Sequence, residues 1–216
     1  MARMVVIGGD AAGASAAGRA KRLDPSLDVV VFEKSKITSY AACGLPYLIG
    51  GLIGTDEDLV ARTPDEHRAA GLDMRTAHEV VGIDLDARRV EVRDLANDRT
   101  VTEGFDDLVI ATGASPIRPS LPGIDSPGVL GIRSIPDADA IDTIIDDRHP
   151  KRAVVVGGGY IGLEMAEALL ERGLEVTMVE LRQTPMATLD PDMGARVADS
   201  IRTLGIDLRL GTGVEG

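Results

Sequence analysis

The chemistry this chain offers is carried by two glycine-rich turns and one cysteine. The first turn lies in RMVVIGGDAAGASAAGRAKRLD, where a short β-branched run leads into Gly8 and Gly13 and then into an alanine-rich helical stretch; the next strand, LDVVVFEKS, ends in Glu33. The second lies in KRAVVVGGGYIGLEMAEALLERGLEVTMVE, with Gly157, Gly159 and Gly162 in full GxGxxG register and Glu180 closing the following strand. Such a turn lets backbone approach a pyrophosphate, the helix N-terminus offers unpaired N–H groups, and a carboxylate at the second strand's end suits a ribose hydroxyl. The first fingerprint is imperfect, because Asp10 stands at the second glycine's place. Glu180 favours the free 2′-hydroxyl of NAD and repels the phosphate of NADP, and Arg182 weakens this preference without reversing it. The cysteine is Cys43, in SYAACGLPY at residues 39–47, and its alternative is the buried inert filler that lone cysteines often are.

Two strand–turn–helix–strand–acid sequences in one chain of 216 residues predict two related α/β units, each Rossmann-like, and two dinucleotide sites suggest an electron path from nicotinamide to flavin. Between them DDLVIATGASPIRP (residues 106–119) reads as a buried strand breaking at Thr112 and Gly113. A linker with Pro116, Pro119, Pro122 and Pro127 follows. The expected division is 1–117 for a flavin-binding unit and 118–216 for a nicotinamide-binding unit. With 44% hydrophobic and 27% charged residues and a net charge of -12, the composition is that of a globular protein and argues against nucleic acid as the main partner. The first apolar run, Met4 to Ile7, is too short for a signal peptide or membrane span, so no membrane partner is expected and the cytoplasm is the default compartment.

In order along the chain, the first glycine loop, SYAACGLPY, the ATG segment, the proline-rich crossing and GGGYIGLEMAEAL resemble the two-dinucleotide-fold flavoprotein disulfide reductases, a glutathione-reductase-like fold. Within that superfamily, the single cysteine followed by GLPY is similar to the coenzyme A-disulfide and coenzyme A-persulfide reductase group. The resemblance implies FAD and NADH as cofactors, with NADPH disfavoured. It further implies a flavin site drawing on Gly8, Gly9, Ala12, Gly13, Glu33, Lys34, Val80, Ala111, Thr112 and Gly113. For nicotinamide it implies Gly157, Gly159, Tyr160, Ile161, Gly162, Glu164 and Glu180, with Tyr160 as a gate over the flavin and Glu164 helping to place the ring. The chain is therefore expected to be truncated, without the segment that returns to complete the flavin site and without a C-terminal dimerisation domain; the full-length protein is expected to be a homodimer.

The resemblance also places the cysteine at the N-terminus of a short helix facing the flavin, and Pro46 suits a first helical turn, where its missing N–H is no loss. Helix N-termini stabilise thiolates, and a thiolate there attacks a disulfide or sulfane sulfur to form a mixed disulfide. One cysteine suffices when a thiol substrate supplies the other sulfur. For coenzyme A, the resemblance assigns contacts to Ser15, Arg19, Arg22 and Ser39, in a cationic patch where Arg19, Lys21 and Arg22 cluster late on the first helix. Ala42 departs from the group's usual asparagine before the cysteine. His67, His78 and His149 are scattered without metal-ligand spacing, so no metal is expected, and the Thr63–Pro64–Glu66 pattern predicts a capped surface helix around His67. Three function classes stay open: a reductase of coenzyme A disulfide, coenzyme A persulfide or polysulfide; an NADH oxidase cycling a cysteine sulfenic acid; and a ferredoxin-type electron-transfer reductase with a silent cysteine. Ala11, where the peroxidase branch carries histidine, weighs against a peroxidase.

Overall fold

The computed structural model describes residues 1–215. In chain order, β1 (Arg3–Ile7), α1 (Ala11–Leu23) and β2 (Asp28–Glu33) precede a 3-10 turn over Ala42–Gly44, the short helix α2 (Leu45–Ile49), a second 3-10 turn over Asp56–Leu59, and α3 (Pro64–Ala69). Strands β3 (Asp73–Thr76), β4 (His78–Asp84), β5 (Arg89–Asp94), β6 (Arg99–Gly104) and β7 (Asp107–Ile110) follow. After the proline-rich crossing come α4 (Ile135–Arg148), β8 (Arg152–Val156), α5 (Tyr160–Glu171), β9 (Glu175–Glu180), α6 (Pro191–Thr203) and β10 (Asp207–Leu210). These form two compact units: one from Met1–Ala41 and Val60–Ala114, the other from Ala42–Leu59 and the chain from Ser115 onward. The α/β class with parallel sheets is the one the sequence predicts.

In the first unit the parallel sheet has the order β3-β2-β1-β7. The runs MVVI and VVVF are continuous rather than alternating because both faces are covered. Val5, Ile7, Val30 and Phe32 pack with Val90 and Val92 of β5, the middle strand of the antiparallel β4-β5-β6 sheet. On the opposite face, Val6, Val29 and Val31 pack with Ala17 of α1 and with Leu72 and Met74. Full burial of each such large apolar side chain stabilises the fold by about 1.5–3 kcal/mol. Small residues on α1, the buried Gly13, Ala14 and Ala17, let the helix lie close to the sheet.

Helix α3 begins as its capping residues predict: Thr63 N–H donates to Glu66 Oε2 at 2.8 Å, Glu66 N–H donates back to Thr63 Oγ1 at 3.3 Å, and Pro64 opens the first turn. The helix lies on the surface as expected, with Asp65, Glu66, Arg68 and Ala69 exposed, but His67 itself is buried, only 3% exposed. Its ring turns inward to a partner outside its own helix, the hydroxyl of Ser39, which the capping pattern cannot reveal.

The second unit carries a parallel β10-β9-β8 sheet. Helix α5 buries Met165, Ala166, Ala168 and Leu169, a stripe at helical spacing. Helix α2 belongs to this unit and packs against α5, where a Cβ on Gly50 would lie 3.3 Å from Ala168 Cα. At the end of α5, Arg172 Nη1 donates to the Ile49 carbonyl at 2.9 Å and to Asp142 at 2.6 Å, tying α2 to α4.

Candidate functional site

The two glycine loops share one hydrogen-bond plan. At the first, Gly8 has φ +104° and comes so close to Ala111 that a Cβ would run into the Ala111 carbonyl; a Cβ on Gly13 would likewise run into the Gly8 carbonyl. Gly8 N–H donates to Phe32 O at 2.8 Å. The Glu33 carboxylate accepts from Gly9 N–H at 2.7 Å and from Ser35 N–H at 2.7 Å, so both oxygens are held at the strand end. Asp10, at the imperfect second place, is the residue before α1, yet its side chain does not cap the helix. It accepts instead from Tyr40 N–H at 3.2 Å, leaving the first-turn N–H groups of α1 available to an anion. Ala12 lies exposed in that turn.

At the second loop Gly157 has φ +105° and a Cβ on Gly162 would run into the Gly157 carbonyl. Gly157 N–H donates to Val179 O at 2.8 Å, and Glu180 accepts from Gly158 N–H at 2.7 Å and from Arg182 N–H at 2.8 Å. Thus Arg182, expected to act through its charge, also acts through its backbone. Gly159 precedes α5 without a side-chain cap; Tyr160 and Ile161 stand exposed in the first turn and Glu164 half-buried in the next. Met186 N–H closes the loop on Gly158 O at 2.8 Å, a brace with no signal in the sequence.

Cys43 is a free, exposed thiol, so the buried-filler account does not hold. It sits in the 3-10 turn immediately before α2, with Pro46 in that helix's first turn. The turn is anchored from below: Leu45, Pro46 and Ile49 are buried, and a Cβ on Gly44 would run into Leu59. A groove of about 250 Å³ beside α2 is lined by Pro46, Tyr47, Leu52, Glu164 and Ala168, which brings Glu164 to the helix that follows the thiol.

Along α1, Ser15, Arg19 and Arg22 form one exposed stripe. Lys21 leaves the expected cationic patch, because its ammonium donates to the Leu27 carbonyl at 2.7 Å. Ser39 adopts φ +48°, and its hydroxyl lies 2.9 Å from His67 Nε2. Burial, and secondly the charge of Arg62, push the His67 imidazole below its ordinary value. Lys34 pairs with Glu79 at 2.6 Å. Val80 is packed against the β5 core beside a register irregularity, and the ATG segment begins with Ala111 N–H donating to Ile7 O at 2.8 Å and turns at Gly113, φ +70°. Thr112 is exposed beside it. Among the described residues no cluster of three or more His, Cys, Asp or Glu side chains could hold a metal ion, and no helix is long and apolar enough to cross a membrane.

The model of the pyridine nucleotide-disulphide oxidoreductase family matches residues 2–216. A coenzyme A disulfide reductase of Staphylococcus haemolyticus is 35% identical over 97% of this chain and 47% of its own length. An NADH oxidase of Methanocaldococcus jannaschii is 36% identical over 99% of this chain and 48% of its own length. Among solved structures, reduced CoADR-RHD of Bacillus anthracis superposes with a TM-score of 0.96 at 38% identity, over 99% of this chain and 39% of that one. The chain thus spans about half the length of the curated relatives it matches.

Proposed function

This chain belongs to the pyridine nucleotide-disulphide oxidoreductase family, and on that premise we propose that its protein uses NADH to reduce coenzyme A disulfide, coenzyme A persulfide or related sulfane-sulfur substrates through Cys43. The observation that carries this reading is the lone cysteine: it is free and exposed, on a turn anchored to the unit that contains the GxGxxG loop.

The residues present fit two dinucleotides. Each loop has a glycine cradle that a Cβ would fill, an uncapped helix N-terminus and a doubly held carboxylate. We assign Gly8, Gly9, Ala12, Gly13, Glu33, Lys34, Val80 and Ala111 to Gly113 to FAD. Gly157, Gly159, Ile161, Gly162 and Glu180 are assigned to NADH, with Tyr160 and Glu164 as gate and positioning groups. The two cofactors together supply a pair of electrons from the nicotinamide to the sulfur centre. Cys43 Sγ attacks the substrate sulfur, forming a mixed disulfide and releasing one coenzyme A thiolate; reduction of that disulfide frees the second. Arg19 and Arg22 meet the phosphates, with Ser15 and Ser39 as hydroxyl contacts. We further infer a cytoplasmic homodimer for the intact protein.

The test is Cys43→Ser in the intact enzyme. Turnover of coenzyme A disulfide should fall to background, while reduction of an artificial dye by NADH persists. Retained disulfide turnover overturns the assignment. The 36% identical NADH oxidase supports a second reading, in which Cys43 cycles as sulfenic acid; there the same variant would release hydrogen peroxide in place of water.

A further inference from the structure

We propose that His67 is a positioning residue that sets the polarity of the Ser39 hydroxyl, so that Ser39 presents its proton outward, as a donor to an oxygen of the thiol substrate. This deepens the reading above and rests on its assignment of Ser39 to the substrate site. The imidazole of His67 is 3% exposed, and its Nε2 lies 2.9 Å from Ser39 Oγ. Its Nδ1 is the one buried side-chain nitrogen or oxygen, among the described residues, that has no hydrogen-bond partner.

That asymmetry selects a tautomer. A neutral imidazole carries one N–H, and an orphaned buried N–H is rarer than an orphaned acceptor. The proton therefore belongs on Nε2, which donates to Ser39 Oγ and leaves a bare lone pair on Nδ1. A second proton would strand an N–H at Nδ1 inside the fold. Burial first and Arg62 second oppose it, with Glu66 pulling the other way. Since Nε2 is then a donor, the hydroxyl proton of Ser39 has no acceptor on the ring and turns elsewhere. A serine in this state suits a phosphate or carbonyl oxygen.

The backbone of Ser39 is held by contacts that do not involve His67. Ser39 adopts φ +48°, a left-handed conformation that non-glycine residues adopt at some cost. Its carbonyl accepts from Ala61 N–H at 2.8 Å. The next residue, Tyr40, pairs with Val60 and donates its N–H to Asp10 at 3.2 Å. His67 therefore acts on the hydroxyl of a residue whose backbone is already held, and decides which way that hydroxyl donates.

The experiment uses the intact enzyme and coenzyme A disulfide as the probe, with steady-state kinetics of wild type, Ser39→Ala, His67→Leu, His67→Gln and the Ser39→Ala/His67→Leu double variant. His67→Leu should raise KM for the disulfide about three- to tenfold, the range of one neutral hydrogen bond, with kcat and KM for NADH within about twofold of wild type. The double variant should be no worse than Ser39→Ala, and His67→Gln, whose amide can reach the place of Nε2–H, should stay within about twofold of wild type. If Ser39→Ala raises KM and His67→Leu does not, the His67 inference falls and the substrate assignment stands. An unaffected Ser39→Ala removes both. Equal damage from leucine and glutamine, or a KM for NADH that moves in parallel, marks a purely structural histidine and overturns the proposal. Independently of any variant, the ¹⁵N spectrum of His67 should show the proton on Nε2; a proton on Nδ1 overturns it as well.

Discussion

Glu180 holds two backbone amides at once, so its charge and its bracing role can be separated by substitution. Glu180→Gln keeps an oxygen for the Gly158 amide but removes the repulsion of a 2′-phosphate. It should lower kcat/KM for NADH by about ten- to a hundredfold, as for a hydrogen bond to a charged group worth about 1.5–3 kcal/mol, and raise the relative use of NADPH. Steady-state comparison of the two nicotinamides decides this, and a wild-type preference for NADPH would count against the assignment. Glu33 has the same geometry in the first loop. Glu33→Ala should weaken flavin retention, read as a lower visible-to-ultraviolet absorbance ratio after purification. Undiminished occupancy would remove Glu33 from the flavin site.

At the scale of elements, three polar clusters hold local structure. Asp94 ends β5 and organises the turn into β6: it accepts from Ala96 N–H at 3.1 Å, from Asn97 N–H at 3.1 Å, from Asn97 Nδ2 at 2.8 Å and from Arg99 Nε at 3.1 Å. The Asn97 side chain leads in pulling this carboxyl from 3.8 to about 2. A carboxylate depressed in the folded state contributes stability that is present above 3.8 and lost as pH falls towards about 2. His67 acts in another window: its folded value lies below 6.5, so the unfolded chain takes up the proton first, and stability declines as pH drops below 6.5. Thermal melts against pH should show both slopes, with Asp94→Asn flattening the acid one and His67→Leu the one below 6.5. An unchanged profile in either variant would contradict its assignment. The third cluster is Arg172, which joins the Ile49 carbonyl to Asp142 and Asp146. Burial raises the Asp142 carboxyl against the pull of Arg172, so Arg172→Met leaves a half-buried acid without its cation. The expected loss is about 1–2 kcal/mol after allowance for partial exposure, a fall in Tm of a few degrees, together with slower disulfide turnover as α2 loosens. A melting point equal to wild type would show that the clamp is idle.

At the scale of the whole chain, the net charge of -12 opposes an anionic substrate at long range, so in the proposed site the cations at Arg19 and Arg22 would have to act locally. Replacing both with glutamine should raise KM for coenzyme A disulfide more than KM for a small uncharged disulfide, and added salt should shrink the difference. Equal effects on the two substrates would place these arginines on a merely solvated helix face. The same pair of disulfides separates the function classes, because a ferredoxin-type reductase would turn over neither, whereas a coenzyme A-dependent reductase distinguishes them through Arg19 and Arg22.

Much of this protein is legible residue by residue along the chain. The glycines, the strand-end carboxylates, the capping box at Thr63 and the break at Gly113 are local features: turn conformation and helix ends depend on neighbours a few positions away, and each is found where its pattern puts it. By contrast β7, expected to be a buried strand, has no buried residue and ends in an exposed Ile110. The lone cysteine is equally visible, and its flanking glycine and proline are the residues that shape its turn. Only the tertiary structure decided which groups far apart in sequence meet. Arg172 reaches the carbonyl of Ile49 across 123 positions, the Asp10 side chain accepts from Tyr40 rather than capping its own helix, the Lys21 ammonium donates to the Leu27 carbonyl, and His67 turns inward to Ser39. Long polar side chains can reach several partners, and which one they take is set by the packing of elements around them. That packing grouped residues 42–59 with the second unit through buried contacts of α2 with α4 and α5, a choice made by shape and desolvation that no local period encodes.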